Sequence, residues 1–397
     1  MKRIISFINL FLILLLVLSG CAAKREITEL ALVMAVGIDK GEEDGKIKVT
    51  TEIVRPADAR GQTGAPTGNT GDPIWSAQAE GTTIFEAIRN LSTVASRRIF
   101  WAHNFVIVIN EDVAKDGISD IIDFFTRNPE LRMNTWVVIT PEKASEIVTT
   151  LTSLEVLPGE SIDKLFRYSV ISGQSPQTRM LDLHSSYLNE SSEPILAKVQ
   201  FVEKGVSNKK PGEESLLKQV ELKGSGVFKG DKLVGILNEN ETMGVLPFRE
   251  HVKSGVIALT CPKDQAKNIS LELRNQNFKV TPAYEKGRPV FDVKFVTHTS
   301  VVEAGCPFSL KDRSDVRYLE KQAEKVIYRN IRTVVDKVQN EYKADILELG
   351  NVFNNKFPAE WKKYGGRWDE GLQSSKINIK VDVKIKDSVL LYKPTKQ

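Results

Sequence analysis

One thiol in this chain stands where covalent chemistry is expected. Cys21 directly follows Leu18-Ser19-Gly20. Ahead of these lie a basic start, Met1-Lys2-Arg3, and an apolar run from Ile4 to Leu18. Charge, apolar stretch and small residues, in that order, are the layout of a secretory signal peptide. A cysteine at the cleavage point makes it a lipobox: the thiol is joined to diacylglycerol, and cleavage leaves Cys21 as the new N-terminus. Residues 1–20 are therefore expected to be removed, and the mature chain to be exported and held on a membrane. The run is shorter than the ~20 residues a membrane span needs, and Ser6 and Asn9 interrupt it. At ~0.8 kcal/mol per buried methylene, two acyl chains make a durable anchor.

Beyond Cys21, few residues are spaced for chemistry. The four histidines, His103, His184, His251 and His298, have no second histidine three to five residues away, so no local zinc motif exists. There is no Cys-x-x-Cys, no Gly-x-Ser-x-Gly elbow and no P-loop. Gly224-Ser225-Gly226-Val227-Phe228-Lys229-Gly230 is rich in glycine. Its third glycine falls one place too late for a dinucleotide fingerprint, and the stretch reads as a strand and hairpin. Cys261 and Cys306 each precede a proline at the end of a candidate strand; a disulfide and two free thiols are both open readings. His103, in Trp101-Ala102-His103-Asn104, is the best lone polar candidate, either tying down a loop or doing acid–base work. Asp120 and Asp123 read as a solvated helix side. Trp361, Tyr364 and Trp368 read as core packing or as an exposed aromatic contact surface. No cofactor and no metal site is expected.

The elements that position these residues alternate between strands and helices. Strands are expected at Glu29–Asp39, Lys46–Val54, Ile74–Ala79, Asn104–Ile109, Asn134–Ile139 and Ile195–Val202. Thr83 and Glu86 form a capping box ahead of a helix whose face carries Ile84, Ala87, Ile88 and Leu91. A stripe from Ala114 to Phe125 reads as one helical face, and Thr140-Pro141-Glu142 as a helix start. Pro56 to Pro73 has no apolar periodicity and reads as a long loop. Residues 206–220 are polar and read as a linker or a long hairpin loop, where the main boundary is placed. This divides the chain into an N-terminal α+β region, 21–205, of one or two subdomains, and a C-terminal α+β domain, 221–397. The second domain has a long helix near 315–342 and a helix around Asn351–Lys363. Without a regular βαβ series, the class is α+β, with mixed sheets flanked by helices.

The 397 residues are 27% charged and 41% hydrophobic, a globular composition. Net charge is +4; loss of Lys2 and Arg3 takes two away and leaves +2, too little to argue for nucleic acid.

Read in order, several short stretches resemble the Ger(x)C lipoproteins, the C subunits of nutrient germinant receptors of spore-forming bacteria. They are Gly20-Cys21, Arg25-Glu26-Ile27-Thr28-Glu29-Leu30, Gly37-Ile38-Asp39-Lys40 and Glu80 to Ala87. Ala102-His103, Ala114 to Ile118, Asp123 to Arg127, Gly226 to Gly235 with Glu241-Thr242, and Ala344 to Gly350 continue the match. Many members carry a tryptophan soon after the lipid cysteine, where this chain has Ala22-Ala23. The resemblance implies a multi-domain mixed α/β lipoprotein on the outer face of the spore's inner membrane. It would be anchored through Cys21, act with A and B subunits, and have no enzyme activity. Pro56–Pro73 and Trp361–Trp368 are the docking faces to look at first. Two other classes stand beside this one: a solute-binding lipoprotein, which needs a polar cleft between lobes, and an exported cell-wall hydrolase, which needs two placed carboxylates.

Overall fold

Alternation of side chains builds the first sheet. In Val106–Asn110 and Trp136–Thr140, Ile107, Ile109, Val137 and Ile139 enter one core, while Val106, Val108, Trp136 and Val138 enter another on the opposite face. Both strands are therefore central, covered on each side, and read as unbroken apolar runs. The computed structural model describes residues 4–5, 26, 29–55, 73–151, 154–206, 216–250, 252, 254–364 and 366–388.

A nine-stranded sheet comprises β1 (Leu30–Lys40), β2 (Ile47–Val54), β3 (Ile74–Gly81), β4 (Arg98–Phe100), β5 (Val106–Asn110), β6 (Trp136–Thr140), β7 (Ile195–Val206), β8 (Leu216–Lys229) and β9 (Lys232–Leu237). Its order is β3-β2-β1-β5-β6-β7-β8-β9, with β4 paired to β1. The middle, β1-β5-β6-β7, is parallel, and both flanks are antiparallel. One face is covered by α1 (Ile84–Leu91), α2 (Glu111–Asp116), α3 (Ser119–Arg127) and later α6 (Met180–Tyr187); the other by α4 (Ala144–Thr149) and α5 (Pro158–Ser172).

A four-stranded sheet, β10 (Gly255–Thr260), β11 (Asn268–Glu285), β12 (Arg288–Ala304) and β13 (Lys376–Ser388), follows helix α7 (Glu239–Arg249). β12 and β13 are parallel, so the chain must cross over between them. The crossover carries α8 (Arg313–Asp336), a π-helical turn (Lys337–Tyr342), α9 (Leu349–Lys356), α10 (Pro358–Tyr364) and α11 (Trp368–Ser374). Leu319, Ala323, Ile327, Ile331 and Val334 of α8 bury the expected stripe. Among the described residues no helix is long and apolar enough to cross a membrane.

The α+β class stands, and several boundaries differ from the sequence reading. Pairing between strands continues on both sides of residues 207–215, within the range read as a linker. β7 and β8 pair up to Val206–Leu216, and β8–β9 complete the first sheet. The flanking strands therefore belong to one sheet, which the polar composition of 206–220 did not reveal. The core that begins on Ile195, Val227 and Leu237 also runs without interruption into the second sheet. The stripe from Ala114 to Phe125 is two helices, because Gly117 breaks it at φ 136° against the Asp231 carboxylate. The helix expected to start at Thr140-Pro141-Glu142 begins at Ala144. The helix at 351–363 is cut at Phe357, since a residue ahead of proline disfavours helical backbone. The long helix ends in the π-turn, where the Tyr342 ring lies against Gly235 of β9.

Cys261 and Cys306 are disulfide-bonded across the ends of β10 and β12, with a sequence separation of 45. Closing a loop of that length restricts the unfolded chain by roughly 4 kcal/mol in the chain-entropy account. The double variant Cys261→Ser, Cys306→Ser is expected to lose stability on that scale in urea unfolding. Wild-type protein in reductant should match it, and identical curves with and without reductant would contradict a stabilising bridge.

Candidate functional site

The lipobox residues Leu18, Ser19, Gly20 and Cys21 lie outside the described residues, as do 56–72 of the Pro56–Pro73 loop and His251. The described chain becomes continuous at Glu29, at the head of β1.

Three of the stretches that carried the resemblance are packing and capping devices. At Gly37-Ile38-Asp39-Lys40, a Cβ on Gly37 would sit 2.8 Å from the Ala144 carbonyl. The Asp39 carboxylate accepts from the Ala144 N–H (2.7 Å) and the Ser145 N–H (2.8 Å), so a distant strand caps α4. At Glu80–Ala87, the Thr83 hydroxyl caps α1 by accepting from the Glu86 N–H (3.2 Å). The Glu86 carboxylate reaches one residue further back than expected, to the Thr82 N–H (2.7 Å) and hydroxyl (2.6 Å). These bonds hold the exposed Glu86 carboxyl below the usual range.

Ala344–Gly350 is the most constrained. The Asp345 carboxylate is buried and accepts from the N–H groups of Leu347 (3.1 Å), Leu349 (3.2 Å) and Gly350 (2.6 Å) and from Trp368 Nε1 (2.8 Å). Burial pushes its pKa up, opposed by those four donors. The loop joins the two halves of the molecule. The Glu193 N–H donates to the Asp345 carbonyl (2.9 Å), and the Ser191 hydroxyl bonds Asn351 Oδ1 (2.5 Å). The Arg249 guanidinium bonds the Ser192 hydroxyl and the Glu193 and Ile346 carbonyls.

Other candidates resolve similarly. Trp361 and Trp368 are buried around Phe353, with the half-buried Tyr364 packed against them, so the aromatic side chains of this expected docking face are core. His103 is exposed beside the Phe100 ring. Asp120 and Asp123 are exposed, and Asp123 pairs with Arg127 one turn on (2.7 Å). Among the described residues no group of three or more His, Cys, Asp or Glu could hold a metal. The glycine-rich stretch 224–230 is strand and hairpin turn.

What remains is a surface. An open groove of about 860 Å³ runs beside the head of β1. Glu29, Phe85, Arg89, Arg97, Arg98 and Trp101 line it. Phe85 is 54% exposed, with the Arg89 guanidinium over its ring at 4.8 Å. Phe85 also borders a second groove of about 580 Å³, where it meets Phe124 at 6.4 Å. Arg98 pairs with Glu130, while Arg97 has no ion pair or hydrogen bond among the described residues. The beginning of the turn after α1 adds Val94, 61% exposed. Sequence reading missed this surface. Its signal was a phenylalanine and an arginine at i and i+4 on the otherwise polar side of α1.

Two family models account for most of the chain: "Spore germination protein N-terminal domain" over residues 23–201 and "Spore germination B3/ GerAC like, C-terminal" over 223–389. Spore germination protein KC of Bacillus subtilis (strain 168) is 28% identical, with 98% of this chain and 96% of that protein aligned. Spore germination protein A3 of the same organism is 27% identical, over 94% of this chain and 95% of the relative. The crystal structure of the GerBC protein superposes with a TM-score of 0.56 at 22% identity, covering 88% of this chain and 96% of that one, a likeness of fold.

Proposed function

For a chain that belongs to the GerAC family of spore germination proteins, we propose the role of lipid-anchored, non-enzymatic C subunit in a nutrient germinant receptor. It acts with the A and B subunits on the outer face of the spore's inner membrane. The observation that carries this reading is the junction at Cys21. The lipobox Leu18-Ser19-Gly20-Cys21 ends two residues before the family match begins at residue 23. Cleavage at Cys21 therefore delivers the whole family domain, with a lipid on its first residue.

Physical chemistry supports a membrane role for that lipid. One acyl chain binds a bilayer only marginally, whereas the two of a diacylglycerol hold durably. Confinement to one surface also raises the effective concentration for integral partners, so modest contacts suffice for assembly. The non-enzymatic reading draws on three family motifs, around Asp39, Glu86 and Asp345, which fold into caps and close contacts. The carboxyls that burial perturbs most, Glu52 and Asp345, lie away from the two grooves beside Phe85.

The test is germination of spores carrying Cys21→Ala, in a strain stripped of other nutrient receptors, with a non-nutrient trigger as control. Near-complete loss of the nutrient response with the control intact is expected, together with loss of the protein from the membrane fraction. A full nutrient response would refute the anchored-subunit reading.

A further inference from the structure

We propose that the Phe85–Arg97 groove is a membrane-contact face that takes anionic phospholipid headgroups. This inference rests on the anchored reading above, because the anchor decides which side of the molecule meets the bilayer. Seven residues lie between Cys21 and Glu29, a span of eight residue steps. At ~3.3–3.6 Å per residue they reach under ~30 Å even when fully extended. A globular chain of this length has a radius of gyration of about 20 Å, hence a width of roughly 50 Å. The leash is thus shorter than the molecule. It holds the surface around Glu29 near the bilayer and leaves the far side out of reach.

The groove begins at Glu29 and has the composition that an anionic interface selects. Phe85, which lines it, and Val94, on the adjoining turn, are large apolar side chains exposed at 54% and 61%. Arg89 lies over the Phe85 ring, and Arg97 is free among the described residues. The acidic members are Glu29 and Glu130, and Glu130 is paired with Arg98. Next to it, Asp123 is paired with Arg127 and Glu86 is held by Thr82, while Asp120 and Glu26 are further carboxylates nearby. Basic side chains within a Debye length of an anionic leaflet are drawn to it, and aromatic and aliphatic side chains beside them enter the headgroup boundary. Arginine suits phosphate because its planar fork donates two parallel hydrogen bonds.

The experiment uses the full lipidated chain in vesicles of phosphatidylcholine with about one-third phosphatidylglycerol, an anionic surface. An environment-sensitive dye is placed at Val94→Cys or, on the opposite face of the sheet, at Ile171→Cys, which is 62% exposed. Cys261 and Cys306 are bonded to each other and leave the label site-specific. Lipids carrying a shallow quencher then report contact. The expected result is severalfold stronger quenching at 94 than at 171. It should weaken when phosphatidylglycerol is omitted and when Arg97→Glu is added. Protein that floats with the vesicles while position 94 stays unquenched overturns the proposal and leaves the anchor standing. Protein that does not float overturns the anchored reading and the proposal together. Quenching at 94 that ignores both lipid charge and Arg97→Glu overturns headgroup capture. Loss of quenching when the integral subunits are present in the vesicles would assign the groove to a protein partner instead.

Discussion

Asp345→Asn is expected to lower the unfolding free energy by roughly 3–5 kcal/mol, the scale of a broken buried charge network. The reason is geometric. Oδ1 accepts from Leu347 and Leu349, and Oδ2 accepts from Gly350 and Trp368 Nε1. Both oxygens therefore face donors only. An asparagine must turn its NH2 toward two N–H groups whichever way it flips, so the amide replaces acceptance with a donor–donor clash. There is no room to relax. A Cβ on Gly350 would already stand 2.5 Å from the Ser191 carbonyl and 2.7 Å from Trp368 Nε1. Trp368→Phe removes one donor and leaves three, and should cost only about 1–2 kcal/mol. Because the loop joins Ser191–Glu193 to the second sheet, Asp345→Asn should also separate unfolding of the two halves. Urea curves followed by tryptophan fluorescence and far-UV circular dichroism, coincident in wild type, should diverge in the variant. A neutral Asp345→Asn would mean that the cage does not support this seam.

Much of this fold was legible because period and capping are local. The α1 cap at Thr83, its buried face, the α8 stripe and the six strands expected in the first half of the chain lie where sequence spacing puts them, to within a few residues. The misplacements share one cause: a partner far along the chain. Nothing within Thr140–Ser145 announces that Asp39, more than a hundred residues earlier, caps α4. Nothing in Ala114–Phe125 reveals that Asp231 crowds Gly117. Nor does the polar composition of 206–220 reveal that the strands on either side of it pair with each other, although both family models also pause over that segment. The cysteine pair stayed open for the same reason, since separation in space is not written in the spacing.

The functional surface was less legible than the fold. Motif reading looks for polar clusters, and the most buried ones here are interior fittings. Asp39, Asp345 and Arg249 join elements to one another. The contact surface instead uses single exposed side chains brought together by the turn after α1 and the head of β1. Only Phe85 and Arg89 are close enough in sequence to be noticed.

Glu52 should make the stability of this chain strongly pH-dependent. It lies on β2, fully buried, with its pKa pushed up from 4.5 to about 8, chiefly by burial and further by the charge of Glu160. Oε2 accepts from the Gly159 N–H at 2.8 Å, while Oε1 has no partner among the described residues. A single donor at the first turn of α5 only partly offsets the desolvation of a carboxylate. Below pH 4.5 the group is protonated in both folded and unfolded chains, and it adds no pH dependence. Between 4.5 and about 8 the unfolded chain ionises first, so stability falls as pH rises, by about 1.4 kcal/mol per unit. Above that window both states are ionised and the loss is complete. Glu52→Gln keeps an acceptor for Gly159 and removes the titration. Its stability relative to wild type should therefore improve by roughly 3–4 kcal/mol between pH 5 and pH 8. Urea unfolding of both proteins at these two pH values measures the difference directly, and other titrating groups cancel in the comparison. An unchanged difference would mean that Glu52 ionises normally in the folded protein. The expected slope has a structural consequence. A Cβ on Gly159 would sit 2.7 Å from the Met34 carbonyl and 2.9 Å from Ala35 Cβ, so the start of α5 is seated tightly on β1. Ionising Glu52 beneath it places an ill-solvated charge at that seat. Alkaline pH should therefore loosen α5 before the rest of the sheet, with faster amide exchange at its first turn.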